Sequence, residues 1–413
     1  MKPKIKVVLM LFAFVQALNV QARDKETYPG MIPIGPFDLV PYLGFKESYN
    51  DNIFHNDNNR KSSFVTQIQG GGELALRRKL DRYAVGYSIL HSQYHSSPAD
   101  NYDDHFLNAN AHVEMTRRNR FDFNAGVTYG HYMRGTLFSQ GDLATDLKEP
   151  DQFHEYTAEM KYRYGRVDAK GNLGLQFGWS QLEFDNHPER TAQWDRTRFE
   201  ITPGFYFRVM PKTYLTSEVE TSVIEYMNQP DNTQTNSSQF FGVDYVTRRY
   251  LLGMTWDQSS KTKGIFRAGY QQQEFTDSNL EGTNALTWDG KILWSPMTYS
   301  TFNFGMLRDI QPSIGAGYLR QVQVYRAGWK HEWPWRVTTQ LNGSYQEAKN
   351  QGSAQKSNGV SFSLDAKYEM KPWLNLGMKY SYSDFQYDTN DANSTLNIFM
   401  FYITATPQAV AAD

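Results

Sequence analysis

From about Phe37 onward the chain alternates apolar and polar residues in stretches of roughly 12 to 15, each ending in a short turn or a longer polar loop. In residues 120–131, Phe121, Phe123, Ala125, Val127 and Tyr129 fall on one face. Asp122, Asn124, Gly126, Thr128 and Gly130 fall on the other. Residues 359–370 set Val360, Phe362, Leu364, Ala366, Tyr368 and Met370 opposite Ser361, Ser363, Asp365, Lys367 and Glu369. Residues 166–180 set Val167, Ala169, Leu173, Leu175, Phe177 and Trp179 opposite Asp168, Lys170, Asn172, Gln176 and Ser180. Successive side chains of an extended backbone point to opposite faces, so a period of two predicts strands. Strands this long exceed the usual soluble length of about 5–6 residues.

The connections alternate in kind. Tight turns are predicted near 77–81, 117–119, 165, 210–212, 259–261, 296, 333–335 and 371–373. Longer polar segments fall near 50–62, 95–101, 134–151, 185–193, 228–238, 277–283, 311–316, 349–357 and 387–394. This rhythm predicts about eighteen strands in an all-β, transmembrane, antiparallel up-and-down β-barrel, with short periplasmic turns and longer extracellular loops. Near 240–257 and 317–330 the alternation blurs, and a bulge is expected there. Aromatic residues such as Trp179, Trp256, Trp294, Trp329, Trp333 and Trp373 lie near predicted strand ends. Girdles at the headgroup level have that placement.

Composition adds to this picture. Mean hydropathy is only −0.64, yet aromatic residues make up 15% of the chain. Soluble cores bury Leu, Val and Ile instead, whereas a barrel strand shows lipid only every second residue. Lys2, Lys4 and Lys6, the apolar run 7–17 and the Val20-Gln21-Ala22 site read as a cleavable signal. The run is too short to span a bilayer as a helix, which takes about 20 residues. The expected organisation is signal peptide 1–22, periplasmic lead-in 23–36, outer-membrane barrel 37–405 and C-terminal tail 406–413. The lead-in is too small for a plug domain. Losing the three signal lysines takes the formal charge from −2 to −5, which is not the balance of a nucleic-acid binder. Cysteine is absent, so thiol nucleophiles and Cys-based zinc sites are excluded. The Ala411-Ala412-Asp413 end lacks the terminal aromatic common in such barrels, and Phe399-x-Phe401 is the internal candidate for that role.

An eighteen-stranded barrel is wide enough for an aqueous lumen. Alternation turns Lys46, Glu73, Glu114, Glu159, Lys161, Arg163, Lys170, Arg198, Glu200, Arg208, Glu218, Glu220, Arg249, Arg267, Lys291, Asp365, Lys367 and Lys379 inward. Asp168, Asp257, Asp289, Arg336 and Glu369 share that parity. The signs are mixed, unlike the single-sign rings of a strongly selective pore. Such a wall either meets a hydrated, charged polymer or pairs across the lumen to stabilise the barrel.

Enzyme chemistry finds no support: HExxH, GxSxG and phosphate-binding glycine loops are missing, and the nine histidines are scattered. His91 and His95, four apart on a strand, sit ~13 Å from each other. No catalytic residue, metal or cofactor is expected. The Asn50–Asn59 stretch is dense in oxygen ligands, as a Ca²⁺ loop would be, but it lacks EF-hand spacing, and Asn/Asp loops are common turn chemistry. Segment 134–151 carries Leu137, Phe138 and Leu143, apolar residues that suit a loop folded back into the mouth as a constriction.

The first strand and its exit, Pro41-Tyr42-Leu43-Gly44-Phe45-Lys46-Glu47-Ser48-Tyr49-Asn50-Asp51-Asn52-Ile53-Phe54, resemble the start of a β-barrel porin family associated with capsule and exopolysaccharide biosynthesis operons. In that family the first strand ends in a Tyr-x-Asp-Asn-aliphatic-Phe-like signature. The resemblance implies a barrel that exports capsular polysaccharide or exopolysaccharide with periplasmic export and co-polymerase proteins as partners. It sits among outer-membrane lipid and lipopolysaccharide. It supplies no catalytic residues, and Asp51 and Asn52 read as loop-shaping. The alternatives are a general or small-solute diffusion porin, or a structural, adhesin-type barrel acting through its loops.

Overall fold

The structure, a computed structural model, describes residues 31–136, 139–141, 143–228, 242–257, 261–277, 280–312, 319–351, 356–388 and 393–406. The expected signal peptide, most of the lead-in and residues 407–413 of the tail lie outside that set. The strands are β1 (Ile32–Ile34), β2 (Phe37–Asn50), β3 (Ser63–Arg78), β4 (Asp81–Tyr94), β5 (Tyr102–Thr116), β6 (Asn119–Tyr132), β7 (Asp151–Tyr164), β8 (Gly171–Phe184), β9 (Arg196–Met210) and β10 (Thr213–Tyr226). They continue as β11 (Tyr245–Trp256), β12 (Thr262–Phe275), β13 (Thr283–Met297), β14 (Ser300–Pro312), β15 (Leu319–Trp333), β16 (Val337–Gln351), β17 (Lys356–Lys371), β18 (Leu374–Tyr387) and β19 (Ser394–Ala405).

Each of β2–β19 pairs antiparallel with its sequence neighbours, and β19 returns to β2, closing an eighteen-stranded barrel. The extra strand β1 folds back on the start of β2, with Ile32 opposite Leu39. The lead-in is therefore partly built into the sheet rather than a free segment.

The outward face is apolar without cover: Leu43, Phe64, Leu252, Leu286 and Phe399 are each more than half exposed. Apolar area in water is unfavourable by about 25 cal/mol per Å², so the arrangement is stable only against lipid. At the short-turn end, Trp294 and Trp329 flank Phe302 at ring distances of 5.2 and 6.3 Å, and Trp333 stacks on Trp335 at 5.6 Å.

Two local expectations need correction. β11 and β15 run without a register shift. The shifts instead fall beside short turns, at Glu114/Thr116, Thr213/Tyr214, Trp294/Met297 and Glu369/Lys371. The blurring arises because apolar Leu251, Val322 and Val324 occupy the interior face, where Val322 and Val324 are buried with Ala348. Polar Arg248 meanwhile faces outward near the rim, ion-paired to Glu274 at 2.8 Å. Pro296 does not make a turn but lies within β13; without an N–H to donate, it coincides with the local slip of the ladder.

Candidate functional site

Three features shape the passage: the seam of the barrel, a strap over its mouth and the charged interior wall. The seam is short. β19 and β2 share eight residue pairs, from Ile398↔Asn50 to Ala405↔Leu43, whereas β2 and β3 share fourteen. Residues 394–397 of β19 would otherwise present an open edge, which sheets in lipid cannot leave unpaired. The loop after β2 supplies side chains instead. Asp51 accepts from the Asn397 backbone N–H at 2.7 Å and from its side-chain amide at 2.8 Å. Asp57 accepts from the Thr395 backbone N–H at 2.8 Å and its hydroxyl at 3.1 Å. Asn52, fully buried, donates to the Thr395 carbonyl at 3.0 Å. Arg60 bridges Asp57 and that same carbonyl at 2.9 and 3.1 Å. The Asp-Asn signature thus shapes the loop by replacing the missing length of β2.

Burial alone would raise the Asp57 carboxyl. The bonds from the Thr395 N–H, Arg60 and the Thr395 hydroxyl outweigh it and hold the carboxyl below the ordinary aspartate value of 3.8. A depressed acid stabilises the fold above its unfolded value and loses that contribution as pH falls through the folded one. The seam should therefore hold at neutral pH and loosen in acid below about pH 4. Asp57→Ala should cost about 1 kcal/mol at neutral pH, since the side chain is partly solvated. Unfolding in detergent, followed by heat-modifiable gel migration, measures this. Equal acid sensitivity of wild type and variant would count against the assignment.

The segment between β6 and β7 forms the strap. Buried Arg134 donates to Asp100 at 2.7 Å, to Ser97 at 3.2 Å and to the Leu147 carbonyl at 2.6 Å. Its guanidinium stacks 4.4 Å over the ring of Phe54. Gly135 adopts φ +80°, and a Cβ there would lie 1.6 Å from the Phe54 carbonyl oxygen, so only glycine fits. Asn56 donates to the Gly141 carbonyl at 3.0 Å, and Gln140 donates to the Tyr387 hydroxyl at 2.9 Å. Tyr387 lies on the polar face of β18, six positions around the barrel from β6. The strap therefore reaches across the mouth over the first loop. Its short helix α1 (Leu143–Asp146) buries Ala144 completely against Ile53, Phe54, Val65 and Tyr94. The anchors are thus Arg134 and Ala144; Leu143 is 44% exposed, and Leu137 and Phe138 lie outside the described residues.

On the wall, the register puts Lys46, Glu73, Glu114, Glu159, Lys161, Arg163, Arg198, Glu200, Arg208, Glu218, Glu220, Arg249, Arg267, Lys291, Asp365, Lys367 and Lys379 on the polar face. Asp289 and Glu369 join them. Lys170 does not, because it sits with Asp168 in the turn between β7 and β8, where Asp168 pairs with Arg166 at 2.7 Å. Arg336 occupies a turn at φ +62°, and Asp257 lies past the end of β11. In each case parity had been carried beyond the strand, where the backbone no longer alternates. The same parity, followed to the strand ends, would have found Arg196, Asp104, Glu155, Asp309 and Arg326.

Many wall charges pair across strands. Arg267 bridges Glu218 at 2.7 Å and Asp289 at 3.0 Å; Arg249 bridges Glu220 at 3.0 Å and Asp289 at 3.3 Å. Tyr206 donates to Glu218, and the Arg163 guanidinium lies 3.5 Å above the Tyr206 ring. Asp365 accepts from Tyr402 at 2.9 Å.

A family model described as "Putative beta-barrel porin 2" matches residues 29–406. No curated protein matches the chain. Among solved structures, the chain is similar to OccAB3 of Acinetobacter baumannii, with 11% identity and a TM-score of 0.45 over 89% of this chain and 98% of that one. It is similar to Pseudomonas aeruginosa OccK2 in complex with glucuronate, with 8% identity and a TM-score of 0.47 over 89% and 98%. The FrpB iron transporter of Neisseria meningitidis, in its apoprotein form, gives 9% identity and a TM-score of 0.49 over 84% of this chain and 61% of that one.

Proposed function

Since the chain belongs to the beta-barrel porin family matched over residues 29–406, and is a porin-like barrel of the Gram-negative outer membrane, we propose that it is a passive channel for small hydrated solutes. The observation that carries this reading is the strap pinned from Arg134 to Tyr387 across the mouth of a polar-walled barrel. An eighteen-stranded wall leaves an aqueous path, and a strap narrows that path to small molecules. Interior charges of both signs favour hydrated polar solutes over ions of one sign.

Export of capsular polysaccharide or exopolysaccharide, with periplasmic export and co-polymerase proteins as partners, is the second reading. What favours it is the operon association implied by the Tyr49–Phe54 signature. A polymer would require the strap to be displaced. Liposomes carrying the purified protein, challenged with uncharged sugars of increasing size, separate the two. Mono- and disaccharides should enter, and longer oligomers should be excluded. Exclusion of all small sugars, together with loss of surface polysaccharide on deletion of the gene, would overturn the small-solute reading in favour of export.

A further inference from the structure

Many charges of the interior wall are paired, and near the long-loop end two that make no salt bridge face one cavity. Near the long-loop end, β9–β12 and β14 enclose a cavity of 330 Å³. That is at the low end of the roughly 300–1,000 Å³ typical of small-molecule sites. Arg198, Arg249 and Glu220 line it, and each is already in an ion pair: Arg198 with Glu200 at 2.6 Å, and Arg249 with Glu220 at 3.0 Å. Arg196 and Asp309 line it too, and neither makes a salt bridge among the described residues, although the Glu155 carboxylate lies within Coulombic reach of Arg196. Arg196 donates only to the Trp194 carbonyl at 3.4 Å, and Asp309 accepts only from the Gln311 side chain at 3.4 Å. Both are half-buried, where an unpaired charge is costly. They stand on different strands, β9 and β14, facing one cavity. The rest of its wall mixes polar Ser222, Thr247, Gln271 and Gln311 with Trp194, Ile224, Tyr226 and Tyr245, which form one buried cluster at its edge.

We propose that this cavity binds small zwitterionic solutes with a flat apolar body, such as free aromatic amino acids. The Arg196 fork takes the carboxylate, since guanidinium matches carboxylate geometry with two parallel hydrogen bonds. Asp309 takes the ammonium group. The Tyr and Trp rings hold the body while offering polar edges. One ligand satisfies both unpaired charges at once, which neither a simple anion nor a simple cation does. The site rests on the channel reading, because it lies in the path of a permeating solute and makes that solute dwell.

Full-length protein in planar bilayers tests it with L-phenylalanine as probe. Phenylalanine should block the open-channel current in a concentration-dependent way. Phenylpropionate lacks the ammonium, phenethylamine lacks the carboxylate, and glycine lacks the body. Each should block roughly tenfold more weakly, the factor that ~1.4 kcal/mol of lost interaction produces. Arg196→Gln and Asp309→Asn, with folding checked by heat-modifiable migration and block normalised to each variant's own current, should each lose the phenylalanine advantage. Calorimetric titration of phenylalanine into detergent-purified protein gives a readout that needs no conduction. Absence of both heat and block from a conducting wild type would overturn the site, as would equal potency of all four probes. Heat without any conductance would support the site and overturn the channel reading instead.

Discussion

Deleting residues 136–147 should raise single-channel conductance severalfold. The strap reaches from β6 to the Tyr387 hydroxyl of β18 and is fastened at identifiable points, so its removal widens the mouth without touching a strand. A point variant should act in the same direction. Asp100 and Arg134 are both nearly inaccessible, with side chains 8% and 7% exposed. Removing one member of such a buried pair typically costs about 3–5 kcal/mol, because the other charge is left stranded. Asp100→Ala should therefore release the strap and give flickering openings of larger amplitude. Gly135→Val should do likewise by steric exclusion against the Phe54 carbonyl. Leu143→Ala removes a side chain that is 44% exposed and should leave conductance at the wild-type level. Single-channel recording of the four proteins decides the matter; unchanged conductance in the deletion variant would show that the strap does not set the mouth.

Arg267→Ala is expected to produce the largest loss of stability among single substitutions on the wall. Arg267 holds Glu218, whose side chain is 7% exposed, and Asp289, which is 19% exposed. Without it, Glu218 keeps only Tyr206 as a donor, and Asp289 keeps Arg249 at 3.3 Å. A dry site would charge the full cost of a broken buried pair. Lumen water reaches part of this one, so about 2 kcal/mol is the expected loss. Arg267→Lys should recover only part, since an ammonium lacks the rigid guanidinium fork whose Nε and Nη2 both bond Asp289 while Nη1 bonds Glu218. Arg248→Ala is the contrast: its partner Glu274 is 61% exposed at the rim, and exposed pairs contribute little. Denaturant midpoints from the folded-to-unfolded shift in gel mobility order the three. Equal midpoints for Arg267→Ala and Arg248→Ala would contradict the network's role.

The strand faces were legible in the sequence because the period of two is a property of the extended backbone itself. It placed Glu218, Glu220, Arg249 and Arg267 on one face without knowledge of any neighbour. Loop chemistry was legible too: polar segments and turn residues separated eighteen strands, and the Asp51-Asn52 signature identified a shaped loop. Legibility failed where the local rule stopped. Lys170 and Arg336 lie beyond strand ends, where parity has no meaning. Val322 and Val324 obscured β15 because apolar residues on the interior face are tolerated only where Ala348 and Leu307 cover them.

The chain by itself determined a long-stranded antiparallel barrel with one lipid-compatible face and one polar face, since alternation and turn chemistry act between residues that are neighbours in sequence. The tertiary structure alone decided how the barrel closes and how its mouth is filled. Asp51 caps Asn397 from 346 positions away, and Gln140 finds Tyr387 across 247. It also decided which wall charges are paired and which, like Arg196 and Asp309, are left open. These are matches between side chains that only closure of the sheet brings together, and no local periodicity carries their distance.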